Sequence, residues 1–124
     1  MIPYTTVGTN DLPAATAFYD ELLGMLGGKR AMDFGRGYAW AVAPDQPMFC
    51  VMKPFDEQVA SVGNGVMVAL AAGSSEQVDA AYARAVELGA KDEGAPGSRG
   101  DGFYGAYFRD LDGNKLCVCH ISMG

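Results

Sequence analysis

Apolar positions recur along this chain with two alternating periods. From Leu12, the side chains Ala15, Tyr19, Leu22 and Leu26 return at helical spacing, and Phe18 and Leu23 widen the stripe, which predicts a helix with one buried face. Asn10 or Asp11 can cap its first amides, Pro13 is tolerated in its first turn, and Gly27-Gly28 ends it. A second stripe runs through Val78, Ala81, Tyr82, Ala85 and Leu88 to a terminating Gly89, behind a Ser74–Gln77 spacing that makes a capping box. Strand-like segments, Ile2 to Thr9 and Val66 to Ala72, precede the two helices. About three short extended stretches follow each helix, separated by turn residues such as Gly35-Arg36-Gly37, Pro44-Asp45-Gln46-Pro47 and Asp112-Gly113-Asn114.

The order is therefore β-α-β-β-β, twice. When the halves are superposed, Tyr4 falls on Met67, Tyr38 on Tyr104, and Phe49-Cys50-Val51 on Leu116-Cys117-Val118, with the drift that short loop insertions produce. The expected organisation is one α+β domain over residues 1–124, made of modules of about 1–57 and 63–124 joined by the polar segment Gln58 to Gly65. Either half alone is too small to bury a core well. Successive strand side chains point to opposite faces, so Phe49, Val51, Leu116 and Val118 are expected to face the helices. Tyr4, Cys50, Met52, Met67, Cys117 and Cys119 are then expected on the other, concave face, where Tyr4, Cys50, Met67 and Cys117 line one cleft.

With 124 residues, 49% apolar and 19% charged, the composition is that of a single globular unit, and no apolar run is long enough to span a membrane. The net charge is −6 and the basic residues are scattered along the sequence, which argues against nucleic-acid and anionic-membrane partners. The three cysteines show no CxxC spacing, and Met1-Ile2-Pro3-Tyr4 runs into a strand without the basic and apolar regions of a leader. Both features predict a reducing, cytoplasmic setting.

Jointly these elements resemble the vicinal oxygen chelate superfamily of glyoxalases, bleomycin-resistance proteins and extradiol dioxygenases. The similarity runs through Asp11-Leu12, Phe18-Tyr19 and Leu22-Leu23-Gly24 in the first helix and through Val78-Asp79-Ala80-Ala81 and Leu88-Gly89-Ala90 in the second. It is most specific from Phe103 to Leu116, where a strand, an Asp-x-Asp-Gly-Asn turn and a final strand form a hairpin. The resemblance implies tandem βαβββ modules whose curved mixed sheets form a concave cleft, with helices on the outer face, and it implies a homodimer. In metal-dependent members, histidine and carboxylate ligands come from the strands corresponding here to Tyr4, Cys50, Met67 and Cys117, and none of these four matches. No family-type metal is therefore expected. What remains is a soft-metal alternative, zinc or copper(I), on Cys50 with Cys117 and help from Cys119, against the simpler reading of buried cysteines as small hydrophobes.

Other signals change the picture less. Gly100 to Gly105 spells GxGxxG, but a strand rather than a helix follows, so no dinucleotide site is expected. Gly94 to Gly105 reads as a mobile, glycine-rich loop with a lid role as its functional alternative. Asp110 to Asn114 hints at a calcium loop but lacks the closing glutamate and reads as a turn. His120 falls on the face opposite Cys117. Tyr38, Trp40 and Tyr104 are candidates to stack on a planar ligand, and Arg36, Lys53 and Arg99 to pair with a ligand carboxylate. The expected ligand-binding set is Tyr4, Trp40, Cys50, Met52, Met67, Tyr104, Cys117 and Cys119. The expected ligand is a small, largely apolar organic molecule. The alternative is a glyoxalase-type lyase or isomerase acting on a thiol adduct or carbonyl compound, with Tyr4 as proton donor or Cys117 or Cys50 as nucleophile.

Overall fold

The structure is a computed structural model and describes residues 1–122. Strand β1 (Tyr4–Gly8) leads into α1 (Leu12–Met25), then β2 (Lys29–Asp33), β3 (Gly37–Ala41) and β4 (Met48–Met52). The second half repeats the order with β5 (Val68–Ala71), α2 (Ser75–Glu87), β6 (Lys91–Ser98), β7 (Phe103–Arg109) and β8 (Lys115–Ile121). Two four-stranded sheets result, ordered β1-β4-β3-β2 and β5-β8-β7-β6. In each, the first strand lies parallel to the last and the other pairs are antiparallel, as a helical crossover followed by a meander requires.

Local chemistry explains the helix limits. The Asp11 carboxylate accepts from the Ala14 amide at 3.1 Å and caps α1, with Pro13 in the first turn where no amide is missed. Ser74 Oγ accepts from the Gln77 amide at 3.1 Å and caps α2. The reciprocal half of the box is displaced by one residue: Gln77 Oε1 accepts from the Gly73 amide rather than from Ser74. The Gln77 Nε2 group instead donates to the Met25 carbonyl at 2.8 Å, tying the start of α2 to the end of α1.

Strand register confirms the expected parity. Thr5, Phe49 and Trp40 stand side by side on the helix-bearing face of the first sheet, and Val68, Leu116 and Phe108 do so on the second. The helices touch each other as well as their own sheets, so both helix-bearing faces feed one apolar core that includes Phe18, Tyr19, Leu22, Trp40, Phe108 and Val118. Gly94 to Gly105, expected as a mobile loop, is mostly the β6–β7 hairpin. Bulges after Asp92 and Gly94 let its irregular glycines pair without a regular alternation of side chains.

The Asp110 to Asn114 run is the turn that the sequence predicts. Its buried Asp110 carboxylate accepts from the amides of Asp112 and Asn114, both at 2.9 Å, from Asn114 Nδ2 at 3.0 Å and from the Tyr19 hydroxyl. Asn114 Nδ2 also donates to the Gly8 carbonyl at 2.8 Å, so the turn of the second half is stitched to β1 and α1 of the first. Removing this acceptor strands several buried donors at once. Asp110→Ala is expected to cost about 3 kcal/mol or more in urea unfolding and Tyr19→Phe about 1–2 kcal/mol; equal, near-zero losses would contradict this role for the turn.

Candidate functional site

A cavity of about 540 Å³ opens where the end of α1, the helix-bearing face of the first sheet and the edge strand β5 meet. Leu23 and Leu26 of α1, Trp40 and Phe49 of the first sheet, and Val68 and Leu70 of β5 form its walls. Thr5 is the one polar side chain on its lining, so no carboxylate, imidazole, thiol or lysine side chain of the described residues faces the cavity. Its size is within the range that accepts small organic molecules, and its chemistry favours apolar ones.

Trp40 is held from behind. Its indole Nε1–H donates to Asp20 Oδ1 at 2.9 Å, and Arg30 Nε grips the same carboxylate at 3.0 Å. The Arg30 guanidinium beside Asp20 holds that carboxyl below the usual carboxylate range, so the indole donates to a charged acceptor at neutral pH. Tyr19 packs against Trp40 at 6.1 Å between ring centroids and Tyr38 lies edge-on at 6.3 Å. The polar edge of the indole is thus satisfied, and the ring contributes an apolar wall to the cavity.

The remaining expected ligand residues lie elsewhere. Tyr4, Cys50 and Met52 share the helix-free face of the first sheet through the pairs Tyr4–Met48, Thr6–Cys50 and Gly8–Met52. Cys117 and Cys119 share the helix-free face of the second sheet with Ala69, Ala71 and Tyr107. Met67 precedes β5 and is exposed. No strand pairing joins the two sheets. Tyr104 is on the helix side, where its hydroxyl donates to Asp79 at 2.7 Å, and His120 is beside it with Nδ1 3.1 Å from the Ala72 carbonyl oxygen. Arg36 and Lys53 meet at a separate polar surface pocket, where the Arg36 Nη1 donates to the Lys53 carbonyl at 2.7 Å. Of the expected ligand set, only Trp40 lines the cavity. Leu23, Leu26, Val68 and Leu70 join it, and the sequence marked Leu23 and Leu26 only as part of a buried stripe.

The thiols are poorly placed for nucleophilic chemistry. Burial pushes the Cys50 thiol up, and burial together with the neighbouring Cys119 thiol pushes Cys117 up to about 12. Both are neutral at physiological pH, whereas the thiolate is the nucleophile. The family's metal calls for imidazole and carboxylate donors, and the phenol of Tyr4, the thioether of Met67 and two protonated thiols do not fit it. Among the described residues, no three His, Cys, Asp or Glu side chains converge on a point.

These features and the fold place the chain in a known class. Residues 1–118 match the model of the Glyoxalase/Bleomycin resistance protein/Dioxygenase superfamily, and the chain belongs to it. It is similar to the crystal structure of a glyoxalase/bleomycin resistance protein from Albidiferax ferrireducens T118, at 39% identity over 98% of this chain and 99% of that one, with a TM-score of 0.90. A lactoylglutathione lyase from Agrobacterium tumefaciens shares the fold at 23% identity, covering 97% and 92% of the two chains, with a TM-score of 0.71. A family enzyme from Burkholderia phytofirmans PsJN shares it at 15% identity over 97% and 98%, with a TM-score of 0.76. The last two likenesses carry the fold alone. No curated protein matches the chain in sequence. No described helix is long and apolar enough to cross a membrane.

A raised thiol pKa has a definite signature in stability. An unfolded cysteine ionises near about pH 8.5, so the stability that the Cys117 thiol contributes is complete below that pH and is lost as pH rises towards the folded value. Unfolding free energy is expected to fall between roughly pH 8.5 and 12, and Cys117→Ala to flatten that fall. An unchanged alkaline limb in the variant would contradict the assignment.

Proposed function

We propose that this protein binds a small, largely apolar organic molecule in the cavity beside Trp40, without the metal site of its metal-dependent relatives. The observation that carries this reading is the cavity itself, about 540 Å³ of space walled by Leu23, Leu26, Trp40, Phe49, Val68 and Leu70. Burying an apolar molecule against such a wall is favourable without any directional contact. A glyoxalase-type lyase or isomerase would need an acid, base or electrophile at the bound molecule, and the side chains around this cavity offer none.

The chain is also read as a homodimer. Its edge strands β1 and β5 are unpaired on their outer sides and carry the exposed Tyr4, Val66 and Met67 nearby. Exposed apolar edges of this kind are commonly covered by a second copy.

The ligand reading is tested with indole, naphthalene and octanol as neutral probes. At least one is expected to change Trp40 fluorescence and, near a hundredfold excess over its Kd, to stabilise the fold by about 2.7 kcal/mol. Leu26→Glu, which sets a carboxylate at the cavity wall, is expected to weaken that probe by at least about tenfold. No response to any probe would overturn the reading.

A further inference from the structure

The basic residues, scattered in sequence, are gathered by strand pairing. Lys91, Arg109 and Lys115 are register partners across β6, β7 and β8, and they stand on the helix-free face of the second sheet. Arg99 folds over the same face, with its guanidinium carbon 5.4 Å from the centre of the Tyr107 ring, and Lys115 Nζ is 5.7 Å from that ring. Four of the nine basic residues of a chain with net charge −6 thus share one face of one sheet.

Their countercharge is incomplete. Glu93 is bound by Arg109 at 2.6 Å, and among the described residues neither Arg99 nor Lys115 has an ion-pair partner. Asp92, the next carboxylate on β6, accepts instead from the Tyr82 hydroxyl of α2 at 2.8 Å. A second copy offering the helix-free face of its first sheet would bring Tyr4, Thr6, Met48, Cys50, Met52 and Lys29, and no carboxylate. The cations are nevertheless positioned rather than loose. Arg99 Nη2 donates to the Ala95 carbonyl at 2.7 Å, and a Cβ at Gly97 would stand 2.9 Å from Arg99 Nη1. A Cβ at Gly94 would stand 3.0 Å from the Tyr107 ring. The two glycines leave the hollow into which the guanidinium and the ring fit. Beside them lie apolar surfaces, Phe103 and the exposed Ala69 and Ala71.

We propose that this face is a binding site for a small organic carboxylate, with Arg99 and Lys115 as its charge partners and Phe103, Ala69 and Ala71 as the seat for its apolar body. Ala69 and Ala71 also border the cavity at Trp40, but Arg99, Lys115 and Phe103 do not, and the inference does not depend on that reading. An arginine fork matches a carboxylate in shape as well as charge, and a half-buried lysine gains from any anion that reaches it.

The test uses matched pairs that differ only in charge: octanoate, decanoate and 2-naphthoate, each with its primary amide, titrated calorimetrically at low and at 200 mM salt. At least one carboxylate is expected to bind at least about tenfold tighter than its amide at low salt, less so at high salt. Arg99→Gln and Lys115→Gln are each expected to remove most of that advantage. Gly97→Ala keeps every charge but displaces the guanidinium, and is expected to weaken the carboxylate by about threefold or more while leaving its amide unchanged. Carboxylates and amides that bind alike overturn this inference and leave the apolar cavity standing. So does a carboxylate preference that survives in both glutamine variants, because the acid then sits elsewhere. No binding of any probe overturns both readings.

Discussion

A single buried carboxylate ties the turn between β7 and β8 to the first half of this protein. Asp110 gathers the amides of its own turn, and through Tyr19 and Asn114 it fixes that turn to α1 and β1 of the first half. Tyr19 carries the effect onward. Its ring packs edge-on to Phe18 at 5.0 Å, against Phe49 at 4.9 Å and against Trp40 at 6.1 Å. The wall of the cavity is therefore set by an unbroken series of contacts that begins at a polar turn in the other half of the chain. Burial and the Asp110 charge also push the Tyr19 hydroxyl well above its ordinary range, so it stays a donor to that carboxylate.

The helices and most strands were legible because their signals are local. Asp11, Ser74, Pro13 and the terminating glycines act on neighbouring backbone groups, and strand parity needs only alternation. The cavity was not legible. Leu23 and Leu26 belong to the same stripe as Leu22, which is fully buried, and only the placement of β5 across from the end of α1 leaves a space beside them. The cation cluster was hidden for a related reason: Lys91, Arg99, Arg109 and Lys115 lie 6 to 10 positions apart on consecutive strands and their connection, and share one face only through the β6-β7-β8 pairing. Trp40 and Tyr104 show the limit of composition as a guide. Both are aromatic strand residues facing helices, yet one lines a cavity and the other spends its hydroxyl on Asp79.

The two faces of each sheet divide the chemistry. Toward the helices, apolar side chains line a space that no titratable side chain of the described residues faces. Away from them, the first sheet presents Tyr4, Met52 and the buried Cys50, and the second presents cations around Tyr107 above two buried thiols. Cysteines sealed in this way behave as small hydrophobes. The fold sets which way each strand side chain points, but it does not dictate which side chain it is. Function follows from that choice rather than from the architecture.

The central claim is that the cavity beside Trp40 takes an apolar molecule, and a crystal structure soaked with bromobenzene tests it most directly. The bromine marks its own position by anomalous scattering. The account predicts a single strong peak enclosed by Leu26, Trp40 and Val68, with the Trp40–Asp20 hydrogen bond intact. Bromine only at surface sites, with the space between α1 and β5 closed or filled by protein, would contradict it.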